Sequence, residues 1–158
     1  MQLLVIACIA WLTLILFAII PKRLSILDFV FLYGIELCLT STSLTILELN
    51  FNLIKIPMPE TNMWPIALFR LITVPLLILM VMNVLQRSEE RKPRWVLSLT
   101  IWMALTTHDW ALYRFKVIHY LFGYTWLLIG LAYLILIIIT YGLTWWYKRF
   151  DHRKAGHI

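Results

Sequence analysis

Three charged side chains stand inside apolar sequence, where charge is expensive: Glu36, Glu48 and Arg70. A carboxylate in hydrocarbon has to be paired, hydrated or protonated. Such a residue is therefore either a carrier of protons or cations or a polar lock between helices. Glu36 falls in an apolar run at 29–49 that also holds Thr40, Ser41, Thr42, Ser43, Thr45 and Glu48. At about 100° per residue, Glu36, Thr40 and Ser43 share one helical face, and Ser41, Thr45 and Glu48 share nearly the opposite one. Two polar faces require protein or water on both sides, so this run is the expected centre of a bundle. Arg70 lies in the next apolar run, shortly before Pro75. If the two runs pack as antiparallel neighbours, Arg70 and Glu48 reach similar depths and pair, while Glu36 sits several turns deeper. Pro75 takes the donor away from the Leu71 carbonyl and is expected to kink its helix. Such breaks occur in transporters, where freed carbonyls bind ions, and equally in membrane helices with no transport role.

A second polar group comprises Thr106, Thr107, His108 and Asp109, followed by Trp110, Arg114, Lys116 and His119. His108, Asp109 and His119 have the chemistry of metal ligands or of an acid–base site. Their spacing fits no zinc signature, and three residues fall short of the ligand set a metal-dependent hydrolase uses. The plainer expectation is a solvated connection in which Asp109 caps a helix or pairs with Arg114. Cys8 and Cys38 form no C-x-x-C pair and read as small apolar residues. No phosphate-binding loop, nucleophile elbow, H-E-x-x-H or dinucleotide fingerprint occurs. No catalytic set, metal or cofactor is therefore expected.

The elements that must hold these residues are membrane helices. Hydrophobic residues make up 62% of the chain and charged ones 14%, against roughly 45–50% and 25% in soluble domains. The runs 3–20 and 121–146 contain no Asp, Glu, Lys or Arg. The expected fold is all-α: one polytopic domain over 1–158, a bundle of five transmembrane helices at about 3–20, 29–49, 64–85, 95–113 and 120–146. Pro65 suits the first turn of the third. The apolar part of the fourth, 95–107, is short for a crossing and is interrupted by His108 and Asp109. Without it the count falls to four. The first run lacks a basic n-region and an A-x-A site, so it reads as a retained helix and not a signal peptide.

With five crossings and the N-terminus outside, Lys22, Arg23, Arg87, Arg91, Lys92, Arg94, Lys148, Arg149, Arg153 and Lys154 all fall inside, 10 of the 14 basic residues. The positive-inside rule then favours N-out, C-in. This bias accounts for the net charge of +6, and a nucleic-acid partner is not expected. The inner basic loops could hold anionic lipid headgroups. Trp64, Trp110, Tyr120 and Tyr124 are expected at the outer interface and Trp95, Trp145, Trp146 and Tyr147 at the inner one. Trp11 and Trp102, at mid-span, should pack against neighbouring helices. Gly123, Gly130 and Ala132 offer the last helix a small face for close contact. The expected location is the plasma membrane, in a prokaryotic cytoplasmic membrane.

Size, polar faces and the absence of a catalytic signature suggest a non-enzymatic subunit or scaffold of a membrane complex, with other membrane proteins or copies of itself as partners. The alternatives are a transporter or channel component using Glu36 and Arg70, with Pro75 as the kink, and a membrane-interface enzyme with its site near His108 and Asp109.

Overall fold

A computed structural model describes residues 2–21, 25–55, 60–85, 91–121 and 126–155. It is all-α, 88% helical. In chain order the elements are α1 (Gln2–Ile19), α2 (Ile26–Thr45) closed by a π-helical turn (Ile46–Asn50), and a two-residue strand β1 (Ile54–Lys55). Then come α3 (Glu60–Leu68), a second π turn (Phe69–Thr73), α4 (Val74–Leu85), α5 (Arg91–Arg114), strand β2 (His119–Tyr120) and α6 (Trp126–Ala155). Three helical stretches are long and apolar enough to cross a membrane: Ile26–Asn50, Met63–Leu85 and Trp126–Tyr147. α1 is apolar but shorter. α5 has the length, about 36 Å at the helical rise, but carries basic residues at both ends and Asp109 within.

Local chemistry moves several boundaries. α2 begins at Ile26, ahead of the expected 29, because Ser25 and Asp28 close a capping box. The Asp28 amide donates to Ser25 Oγ, and the Ser25 amide donates to Asp28 Oδ2, both at 3.1 Å. α3 begins at Glu60, so Pro65 lies inside the helix and not in its first turn. α5 continues through His108 and Asp109 and ends after Arg114 in a Schellman motif. The Val117 amide donates to the Leu112 carbonyl at 3.0 Å and the Lys116 amide to that of Tyr113 at 2.9 Å, while Leu112 and Val117 are both fully buried. The left-handed position that glycine usually takes is held by Lys116, at φ 57°. α6 starts at Trp126 and not Tyr120, because His119 and Tyr120 are taken into a strand, and it runs past 146 into the basic segment.

β1 and β2 form an antiparallel ribbon, with Ile54 opposite Tyr120 and Lys55 opposite His119. This ribbon ties the far end of α2 to the far end of α5. At the other end of the bundle Asn83 Nδ2 donates to the Pro21 carbonyl at 2.9 Å, and the rings of Phe31 and Tyr147 stack at 4.4 Å. α5 therefore runs the full length of the bundle, from the Asn83 end to the ribbon end. Trp64 and Trp110 are exposed towards the ribbon, and Trp95, Trp145 and Trp146 are exposed towards the opposite end.

The centre of the bundle is not α2. In an apolar 18-residue stretch of Met63–Leu85, 72% of the residues are buried, against 17% in such a stretch of Ile26–Asn50. Every residue from Val74 to Val84 is buried, and the core gathers on α4 from Ile6, Ile101, Leu105, Leu112 and Leu136. Polar side chains on α2 mark its inner face at Glu36 and Thr40, while much of the opposite polar face is open. Trp11, expected to pack, is exposed on α1, whereas Trp102 packs on α6. Lys22, Arg23, Arg87, Gly123 and Tyr124 lie outside the described residues. Arg91, Lys92 and Arg94 fall in the first turn of α5, and Lys148, Arg149, Arg153 and Lys154 in the last turns of α6.

Candidate functional site

Leu32, Glu36 and Thr40 recur every fourth residue, which puts them on one face of α2 and buries all three. There α2 meets α6, and the Thr140 hydroxyl reaches Glu36 Oε1. The same hydroxyl lies 2.9 Å from the Leu136 carbonyl, so one proton is offered to two acceptors. Glu36 Oε2 and Thr40 Oγ1 are buried with no hydrogen-bond partner among the described residues. A carboxyl that is fully buried and half satisfied is costly unless it is neutral or meets a further polar group.

From this contact α2 and α6 part towards the ribbon end. The wedge between them is a cavity of about 450 Å³, with Thr40, Phe69, Val74, Ala132, Ile139 and Asp109 among its walls. Phe69 and Val74 bracket the π turn, so the kink in the central helix shapes the back of the wedge. The missing donor of Pro75 has a replacement: the Tyr33 hydroxyl donates to the Leu71 carbonyl at 2.6 Å. The carbonyl that proline frees is thus held by a side chain from α2.

Asp109 lies at the ribbon end of the wedge and is buried. Its Oδ2 accepts the Tyr120 hydroxyl at 2.5 Å and its Oδ1 the Tyr133 hydroxyl at 3.2 Å. This corrects the expectation of a solvated aspartate paired with Arg114, which is exposed on the helix end. His108, its chain neighbour, points a different way because successive helical residues diverge by about 100°. It is buried against the Phe69 ring at 5.0 Å, and among the described residues neither ring nitrogen has a hydrogen-bond partner. His119 is exposed on the ribbon. Hence His108, Asp109 and His119 do not converge, and among the described residues no group of three His, Cys, Asp or Glu side chains could hold a metal.

The structure brings Glu48 and Arg70 together, with Arg70 Nη2 3.9 Å from Glu48 Oε2 and both side chains partly exposed. It keeps Glu36 apart from Arg70, locked instead to Thr140. The residues that sequence reasoning misses are the hydroxyl donors Tyr33, Tyr120, Tyr133 and Thr140. Each reaches a partner between 11 and 104 residues away, so no local periodicity marks them. With this geometry in hand, comparison with known protein families, curated proteins and solved structures gives no match to the chain.

Proposed function

We propose that the chain crosses the plasma membrane five times, N-terminus out and C-terminus in, and acts as a non-enzymatic subunit that receives a transmembrane helix of a partner protein along α2. The observation that carries this reading is the open face of α2. Gly34, Cys38, Thr42 and Thr45 are all exposed and follow one another at helical spacing. Small residues in line let two backbones approach closely in lipid, where packing and hydrogen bonds drive helix association in place of hydrophobicity. Among the described residues, nothing beyond the helix's own backbone and the adjacent residues lies within 4 Å of a side-chain carbon built on Gly34. The five-crossing arrangement is supported by α5 running end to end, by the ribbon that joins two loops at one end, and by the sequence bias of lysine and arginine. Glu36 held by Thr140 and Arg70 beside Glu48 belong to separate contacts. That favours bracing over a shared charge path, and so favours a subunit over a transporter.

Cys38 makes the test direct, because it sits on the proposed docking face while Cys8 is exposed on α1. In native membranes a membrane-soluble reagent with a maleimide at one end and a photoreactive diazirine at the other should join the Cys8→Ser protein, through Cys38, to a second protein as an adduct of one defined mass. Gly34→Leu should abolish that adduct without lowering the melting temperature of the purified chain. An adduct that persists in Gly34→Leu, or forms only through Cys8, would overturn the proposal.

A further inference from the structure

We propose that the wedge between α2 and α6 binds one anionic phospholipid, with an acyl chain between the helices and the phosphate on Lys55 and His119 of the ribbon. The two helices are closed at the end where Phe31 and Tyr147 stack and open towards the ribbon. Ile46, Leu128, Ile135 and Ile139 line the cavity and are exposed at the same time. The cavity therefore opens sideways, through an apolar edge, to whatever surrounds α2 and α6. In a bilayer that is lipid hydrocarbon.

The ribbon makes the site specific. Side chains alternate across a strand. Ile54 and Tyr120, opposite each other, roof the cavity, while Lys55 and His119, also opposite each other, are exposed. One small ribbon thus separates an apolar space from a cationic face. Arg114 and Lys116 are exposed nearby, where α5 ends just ahead of β2. Among the described residues none of Lys55, Arg114 and Lys116 has an acidic partner. Asp109 is the acid beneath the roof, and both its oxygens are occupied by tyrosine hydroxyls. Lipid tails are as apolar as the cavity walls, so the chain alone gains little over bulk lipid. Selection must come from the headgroup, through the Lys55 ammonium and an imidazole N–H, which a histidine offers in either charge state. Among the described lining residues the polar side chains are Thr40, Ser43, Asp109, Tyr120 and Tyr133, with the last three bonded to one another and the rest of the wall apolar, so the occupant's far end is apolar. This inference holds whichever face of the membrane the ribbon occupies, and it does not depend on a protein partner.

Native mass spectrometry of the purified protein in mild detergent tests it, with phosphatidylglycerol and phosphatidylcholine of identical chains supplied in equal amounts. One phosphatidylglycerol should be retained with roughly fivefold preference, the order of one lysine beside a headgroup of net negative charge, because the choline of phosphatidylcholine offsets its phosphate. Lys55→Gln with His119→Gln should bring the two lipids to parity. Ala132→Trp, which fills the wedge, should remove retention of both. Excess inorganic phosphate should not displace the lipid, because a free anion lacks the chain. The rival site is the basic segment at the opposite end, probed by Arg91→Gln with Lys92→Gln. The proposal fails if the lipids bind equally to the unaltered protein, if preference survives the ribbon substitutions, or if only the Arg91 and Lys92 pair abolishes it. The ribbon side chains are exposed, so these arms remain decisive even if Ala132→Trp fails to fold.

Discussion

At the scale of single residues, the contacts that matter here are hydroxyls and one glycine. A side-chain carbon on Gly130 would come within 2.7 Å of the Trp102 ring, whose Nε1 donates to the Gly130 carbonyl at 2.9 Å. Gly130→Ala should therefore destabilise the fold by about 1–3 kcal/mol, the usual cost of overpacking a tight contact. A thermal melt in detergent reads this, and an unchanged midpoint would mean the indole moves aside freely. The proximity of Glu48 and Arg70 is legible in the sequence, because a short loop brings the ends of consecutive helices together and a guanidinium has reach. The partners of Asp109 and Glu36 are not legible. His-Asp in sequence suggests a site, but side chains one residue apart on a helix face different neighbours. What bonds to Asp109 is set by where Tyr120 and Tyr133 arrive from other elements.

At the scale of elements, hydrophobic runs mark the helices and capping chemistry sets their ends. The end of α5 illustrates this. Its Schellman closure needs a left-handed residue, and Lys116 supplies it at φ 57°. A side chain beyond glycine there costs about 1–2 kcal/mol. Lys116→Gly should raise stability by about 1 kcal/mol, visible as a higher melting temperature in detergent. A fall would show that the lysine side chain contributes more than its backbone costs. The start of α6 shows the opposite case. Tyr120 and the apolar residues after it look like helix, yet His119 and Tyr120 pair with Ile54 and Lys55. Strand pairing is a choice between distant segments, and local propensity does not see it.

At the scale of the whole molecule, the arrangement fixes which loops share a side. The ribbon joins the loops after α2 and α5, and Asn83 meets Pro21 at the other end. In a cysteine-free background (Cys8→Ser, Cys38→Ser), Lys116→Cys should react with an impermeant maleimide added outside intact cells. Ser25→Cys should react only after the cells are opened. Labelling of both from one side would overturn the proposed five-crossing topology. Whole-molecule shape also reassigns the helices: the stretch with two polar faces lies at the periphery, and the one with Pro75 lies at the centre.

Composition and periodicity by themselves determine that this is an all-helical chain suited to a membrane, because the transfer of apolar side chains out of water depends on residue type and run length alone. They also determine where charge sits along it. Only the tertiary structure decides that α4 and not α2 is enclosed, that Tyr33 takes up the carbonyl freed by Pro75, and that α2 and α6 diverge over an apolar wedge roofed by a cationic ribbon. Those outcomes depend on which faces meet, and in lipid every apolar face is nearly equivalent until packing and hydrogen bonds between distant residues distinguish them.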